Sequence, residues 1–293
     1  MALAAPILAS ERQGATLLGV PIYWHLLSLD APTIAILWAW SFARAANVHA
    51  SLIAIGVLGI GTWLVYVTDR LLDGRFAPHR ALHARHFFHA RHWRAFLAAA
   101  VLAALVLLYC IGNMPAPARI EDTLLFALSV LYFAVVHLPF GRIHVSFPRE
   151  PAVGILFAAA CAVPAWSRPD SPRSALAMPV ILFAALCTLN CLAIEIWERR
   201  LAQVRNLGIR AFALTIAAGS VALMFALRNH GEFRLAASAF VSAILILALD
   251  RFYRRSELRT ADPEKASQFL LALRVAVDVA LLTPLLFVLP WHL

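Results

Sequence analysis

Residues 50–68 read ASLIAIGVLGIGTWLVYVT, nineteen positions without a charge, and Asp69-Arg70-Leu71-Leu72-Asp73-Gly74 follows at once. A bilayer core is crossed by about 20 apolar residues in a helix, so this run is long enough to span one. Its abrupt end in two acids and a base is what a span meeting the head groups looks like. Working outward, similar runs occur near 27–45, 95–112, 123–140, 151–167, 176–197, 208–227, 233–250 and 268–290, which makes nine candidate spans. The connections carry breaker chemistry: Pro115 and Pro117, Gly141 and Pro148, Pro169 and Pro172, and Asn229-His230-Gly231. The expected fold is all-α, a single polytopic domain over residues 1–293.

Composition agrees. The 293 residues are 62% hydrophobic and 14% charged, against about 25% charged in soluble domains, which excludes a water-soluble enzyme. Net charge is +9, and all 25 basic residues are Arg except Lys265. In a membrane chain such an excess points to cytoplasmic loops and anionic head groups, not to nucleic acid. Connections after even-numbered spans hold 17 basic residues and those after odd-numbered spans hold six. That alternation predicts a cytoplasmic N-terminus. The opening MALAAPILASERQ lacks a basic n-region, so insertion is expected from the first span itself. Cys110, Cys161, Cys187 and Cys191 all fall in apolar runs, which argues against disulfides and zinc ribbons.

Acids in or beside a span are costly and ask for a partner or a purpose. Asp69 and Asp73 end the second span, Glu195 and Glu198 the sixth, and Asp250 the eighth; Asp30 and Glu150 begin the first and fifth. The topology above puts all seven at the cytoplasmic face. Asp69 and Asp73 stand one helical turn apart on one face, a pair that repels unless a cation lies between. One or two carboxylates with substrate phosphate oxygens are how Mg²⁺ is usually held. Glu195 and Glu198 could face them across the bundle and clamp a diphosphate between two metal sites. The other reading is interfacial pairing with Arg70, Arg75, Arg199 and Arg200.

The stretch Tyr66-Val67-Thr68-Asp69-Arg70-Leu71-Leu72-Asp73-Gly74, closing a second span before an Arg-rich loop, resembles the first aspartate-rich motif of the UbiA superfamily of intramembrane prenyltransferases. Those proteins have nine transmembrane helices, a first motif of the type NDxxDxxxD after the second helix and a second, DxxxD, at the end of the sixth. Here the leading Asn-Asp falls on Val65 and Tyr66, Asp69 and Asp73 match the next two acids, and the second motif is the shorter Glu195-Ile196-Trp197-Glu198. The resemblance implies transfer of a prenyl group from a prenyl diphosphate to a lipophilic acceptor within the bilayer. It further implies Mg²⁺ on Asp69, Asp73, Glu195 and Glu198, with Arg75 and Arg80 as diphosphate contacts. Arg199 is counted with them. A terpene cyclase, or a non-catalytic or transport protein that keeps the fold, are the alternative readings.

Other features have two readings each. Residues 69–94 form an Arg/His-rich cytoplasmic loop carrying His79, His83, His86, His89 and His92. It reads as a basic segment on the head groups, a candidate lid, or a transition-metal site. Arg274 and Asp278 lie four apart inside the ninth span, as a mutual ion pair or with Arg274 reaching the diphosphate. Asn190 either adds a metal oxygen or bonds a neighbouring helix. Gly56, Gly59 and Gly61 suggest close helix approach. Trp24, Trp93, Trp166, Trp197 and Trp291 suit an aromatic belt, Trp38, Trp40 and Trp63 lipid contact or an isoprenoid tunnel, and Pro284 a kink.

Overall fold

The computed structural model describes residues 19–76, 84–114, 149–168, 173–198, 206–226, 230–257 and 263–287, with scattered helical positions between 116 and 128. Within these the chain is all helix: α1 Gly19–Leu26, α2 Asp30–Ala45, α3 Leu52–Phe76, α4 Ala84–Arg91, α5 Trp93–Gly112, α6 Arg149–Trp166, α7 Arg173–Glu198, α8 Asn206–Ala226, α9 His230–Glu257, α10 Pro263–Val279 and α11 Pro284–Phe287. Six stretches are long and apolar enough to cross a membrane: Leu52–Leu72, Trp93–Gly112, Arg173–Glu198, Gly208–Ala226, Gly231–Ser256 and Ala266–Phe287. Counting the bent pair α1 and α2 as one span gives seven. The architecture is that of a polytopic helical membrane protein. Of the nine expected spans, the fourth (123–140) falls largely outside the described residues, and the fifth coincides with α6, which is not among the six.

The outward faces are apolar, as lipid tails require: Leu102 and Leu108 of α5 are 64% and 67% exposed. Inside, α2, α6, α7, α9 and α10 share one core around Trp38, Phe42, Phe183, Leu189 and Leu281. Small residues set the closest crossings. A Cβ on Gly154 of α6 would stand 2.7 Å from the Thr188 backbone nitrogen of α7, and one on Gly231 of α9 would stand 2.6 Å from the Ala45 Cα. Of the three glycines expected to do this in the second span, only Gly59 meets a neighbour, Ile36; Gly56 and Gly61 face open space.

Two helices break, and each break is capped from elsewhere. Backbone freed from a helix in an apolar medium must find partners. Between α1 and α2 the axis turns by 90°, with Ser28 at φ 59°. The loose carbonyls there accept from α3: Arg70 Nη1 donates to the His25 carbonyl at 2.8 Å and Trp63 Nε1 to the Leu27 carbonyl at 3.1 Å. The second break precedes Pro284, where α10 gives way to a 3₁₀ turn, Ala280–Leu282, as a proline has no N–H for the carbonyl four residues before it, here that of Ala280. Trp38 Nε1 donates to the Leu281 carbonyl at 2.9 Å.

These contacts correct three expectations. Trp38 is 1% exposed and stacked on Phe183 at 4.0 Å, so it is core and meets neither lipid nor tunnel. Trp197 is likewise buried, against Tyr253 and Asp250, and leaves the belt. Residues 69–76 are helix, because α3 continues through Phe76, and α4 follows within the expected loop.

Candidate functional site

The break at Ser28 gathers a polar cluster inside the bundle. Ser28 Oγ accepts from Arg70 Nη1 at 2.8 Å and lies 3.2 Å from His89 Nε2 of α4. His89 is fully buried and stacked on Phe96 at 4.0 Å, so one histidine of the Arg/His-rich segment turns inward and fastens α4 over the break. The side chains of His79, His83 and His86 lie outside the described residues.

Because α2 starts afresh at Asp30, its first-turn carboxylate faces back toward α1. His25 Nδ1 lies 2.6 Å from Asp30 Oδ2 and 3.4 Å from Asp278 Oδ2 of α10. Arg70 Nη2 is 3.5 Å from the same Asp30 oxygen. Asn190 Nδ2 of α7 donates to Asp278 Oδ1 at 3.2 Å. Arg274 Nη1 donates to Glu198 Oε1 at 2.6 Å. His25 Nε2, Asn190 Oδ1 and Arg274 Nε are buried without a partner among the described residues.

Asp30, Tyr66, Arg70, Asn190, Arg274 and Asp278 line a cavity of about 80 Å³, closed on its apolar side by Ile34, Phe157 and Ile194 among others. That volume suits a few waters or a small polar head, well below the roughly 300–1,000 Å³ of ordinary ligand pockets. Around it stand three carboxylates (Asp30, Asp278, Glu198) and two guanidiniums (Arg70, Arg274). With a neutral imidazole the set carries one negative charge.

Helical phase decides which expected residues arrive. On α3, Tyr66 and Arg70 are four apart and point inward, so Asp69, about 100° round the helix, lies off that face, half-buried and in contact with other groups. On α7 the inward line is Cys187, Asn190, Cys191 and Ile194. Glu198 continues it and reaches the cavity through Arg274, while Glu195 falls beside it. Arg274 and Asp278 share one face, as their spacing predicts. Their expected mutual pairing is replaced by bonds to α7 and α1, because neighbouring helices bring better-placed partners. The side chains of Asp73 and Arg75, and Arg80 and Arg199 altogether, lie outside the described residues.

Asp250 pairs with arginines, Arg254 at 2.8 Å and Arg210 at 3.9 Å. Sequence reasoning missed His25 and Ser28, and assigned Asp30 and Tyr66 no place in the site. The available signal was an acid five residues after a histidine with a helix breaker, Pro32, just beyond, in His25-Leu26-Leu27-Ser28-Leu29-Asp30-Ala31-Pro32.

Of the four carboxylates that the resemblance assigns to Mg²⁺, Glu198 does not fit that role, because it is bonded to Arg274. Set against protein-family models, curated proteins and solved structures, the chain finds no match.

Proposed function

We propose that the chain is a nine-span intramembrane prenyltransferase of the UbiA type, with a cytoplasmic N-terminus, that moves a prenyl group from a prenyl diphosphate to a lipophilic acceptor. The observation that carries this reading is the pair Arg70 and Arg274, two guanidiniums from α3 and α10 lining one cavity within an apolar bundle. Buried cations in a membrane core are expensive and mark ligand paths by default. An anionic head with an apolar tail is the ligand class that such a cavity inside lipid-facing walls accommodates.

Arg70 is braced by the His25 carbonyl, Ser28 and Asp30, and Arg274 by Glu198. Guanidiniums held in place need no reorganisation as charge develops on a departing diphosphate, which is where electrostatic stabilisation acts. Asp69 and Asp73 would hold Mg²⁺, which neutralises charge on the leaving group when bound. Phe157, Ile34 and Ile194 keep the adjoining wall apolar, so that an allylic cation is kept from water.

A cavity of about 80 Å³ is too small for a prenyl diphosphate, so substrate comes in as the helices around it part. The same small volume favours the second reading, a non-catalytic or transport protein that keeps the fold. Incubating the protein in lipid with a prenyl diphosphate, with and without aromatic acceptors, tests the choice by product mass. A prenylated acceptor supports the transferase, a cyclised hydrocarbon without acceptor makes it a cyclase, and unchanged substrate favours the second reading.

A further inference from the structure

We infer that His25, Asp30 and Asp278 form a site for a first-row divalent transition-metal ion, separate from the carboxylates at the end of α3. Among the described residues these three each offer a ligand atom, and the atoms lie within 4.8 Å of one another. They come from α1, α2 and α10, and all are buried. Ligand atoms bound about 2.0–2.2 Å from one ion stand about 3–3.5 Å apart, and His25 Nδ1 lies 2.6 and 3.4 Å from the two carboxylates. The second of these already has that spacing, and widening the first by less than an ångström gives it the same.

Hydrogen bonding alone does not account for the arrangement. Nδ1 carries one proton or one lone pair, so it serves one carboxylate, and a second stands beside it. Asp30 and Asp278 in the cavity wall, with Glu198 behind Arg274, stand against two guanidiniums, and a dication here turns the balance of these five groups from one negative to one positive charge. A second observation points the same way. Asn190 donates through Nδ2 to Asp278, while its Oδ1, on a side chain more than nine-tenths buried in the cavity wall, has no partner among the described residues. A water held on the ion would satisfy that oxygen.

One imidazole with two carboxylates is a mixed donor set, suited to Zn²⁺, Fe²⁺ or Mn²⁺ and less to Mg²⁺, which prefers oxygen and water. The consequence for anion binding rests on the proposed function; the binding of metal does not.

The test uses the full chain in lipid nanodiscs, stripped with chelator and reloaded with Zn²⁺. Metal retained after desalting is measured by mass spectrometry, and the zinc shell by X-ray absorption. The site predicts a tightly held ion with nitrogen and oxygen donors at about 2.0–2.1 Å and a single imidazole. His25→Gln and Asp278→Asn each weaken retention by at least roughly 100-fold, while His83→Gln with His86→Gln leaves it unchanged. No retained metal in the wild type, a shell of two or more imidazoles, or retention unaffected in both cavity variants overturns the inference. The wild-type spectrum decides the matter even where a variant fails to fold. Metal retained by a protein that releases no pyrophosphate contradicts the proposed function and leaves this site standing.

Discussion

Arg274 of α10 and Glu198 of α7 face each other at 2.6 Å across the cavity rim, each about one-fifth exposed. The pair joins the last long helix to the end of the sixth expected span. Removing one partner leaves a largely desolvated charge, so Glu198→Gln should lower stability by about 1–3 kcal/mol. Partial exposure keeps it from the upper range. Glu198→Gln with Arg274→Met should recover part of the loss. Thermal unfolding of the purified variants in one detergent checks both.

Ser28 holds a left-handed backbone and two side-chain contacts at once. A non-glycine residue there costs about 1 kcal/mol, so Ser28→Gly relieves strain while losing the hydroxyl, and Ser28→Ala loses the hydroxyl without relief. Ser28→Ala should therefore be the more destabilised, and both should exchange amide hydrogens in α4 faster than wild type. Hydrogen exchange read by mass spectrometry gives the answer.

Gly154 and Gly231 sit where backbone meets backbone. Alanine at either should cost about 1–3 kcal/mol through overpacking. Alanine at Gly56, which faces open space, should gain up to about 1 kcal/mol from helix propensity. Opposite signs from one substitution type, measured as melting temperatures, separate packing from propensity.

Much of the fold was legible because bilayer length and apolar composition act locally. The run at 50–68, the apolar length of 95–112 and the break at Pro284 each needed only neighbouring residues. The site was less legible, because phase and breaks decide it. Asp69 and Glu195 sit one residue off the inward lines that carry Arg70 and Ile194. His25 and Asp30 meet only because the helix between them bends by 90°. Trp38, Trp197 and the glycines show the same limit: spacing gives a helix face, and only tertiary packing says what that face meets.

The central claim is that Arg70 and Arg274 receive a prenyl diphosphate. Mg²⁺-dependent pyrophosphate release, measured in lipid across prenyl diphosphates of increasing length, tests it most directly, with Arg274→Gln and Asp69→Asn beside the wild type. The account predicts release by the wild type and a loss of about 100-fold or more in Arg274→Gln, the scale of removing one preorganised charge stabiliser. A well-folded wild type that releases nothing, or release that Arg274→Gln leaves intact, contradicts it.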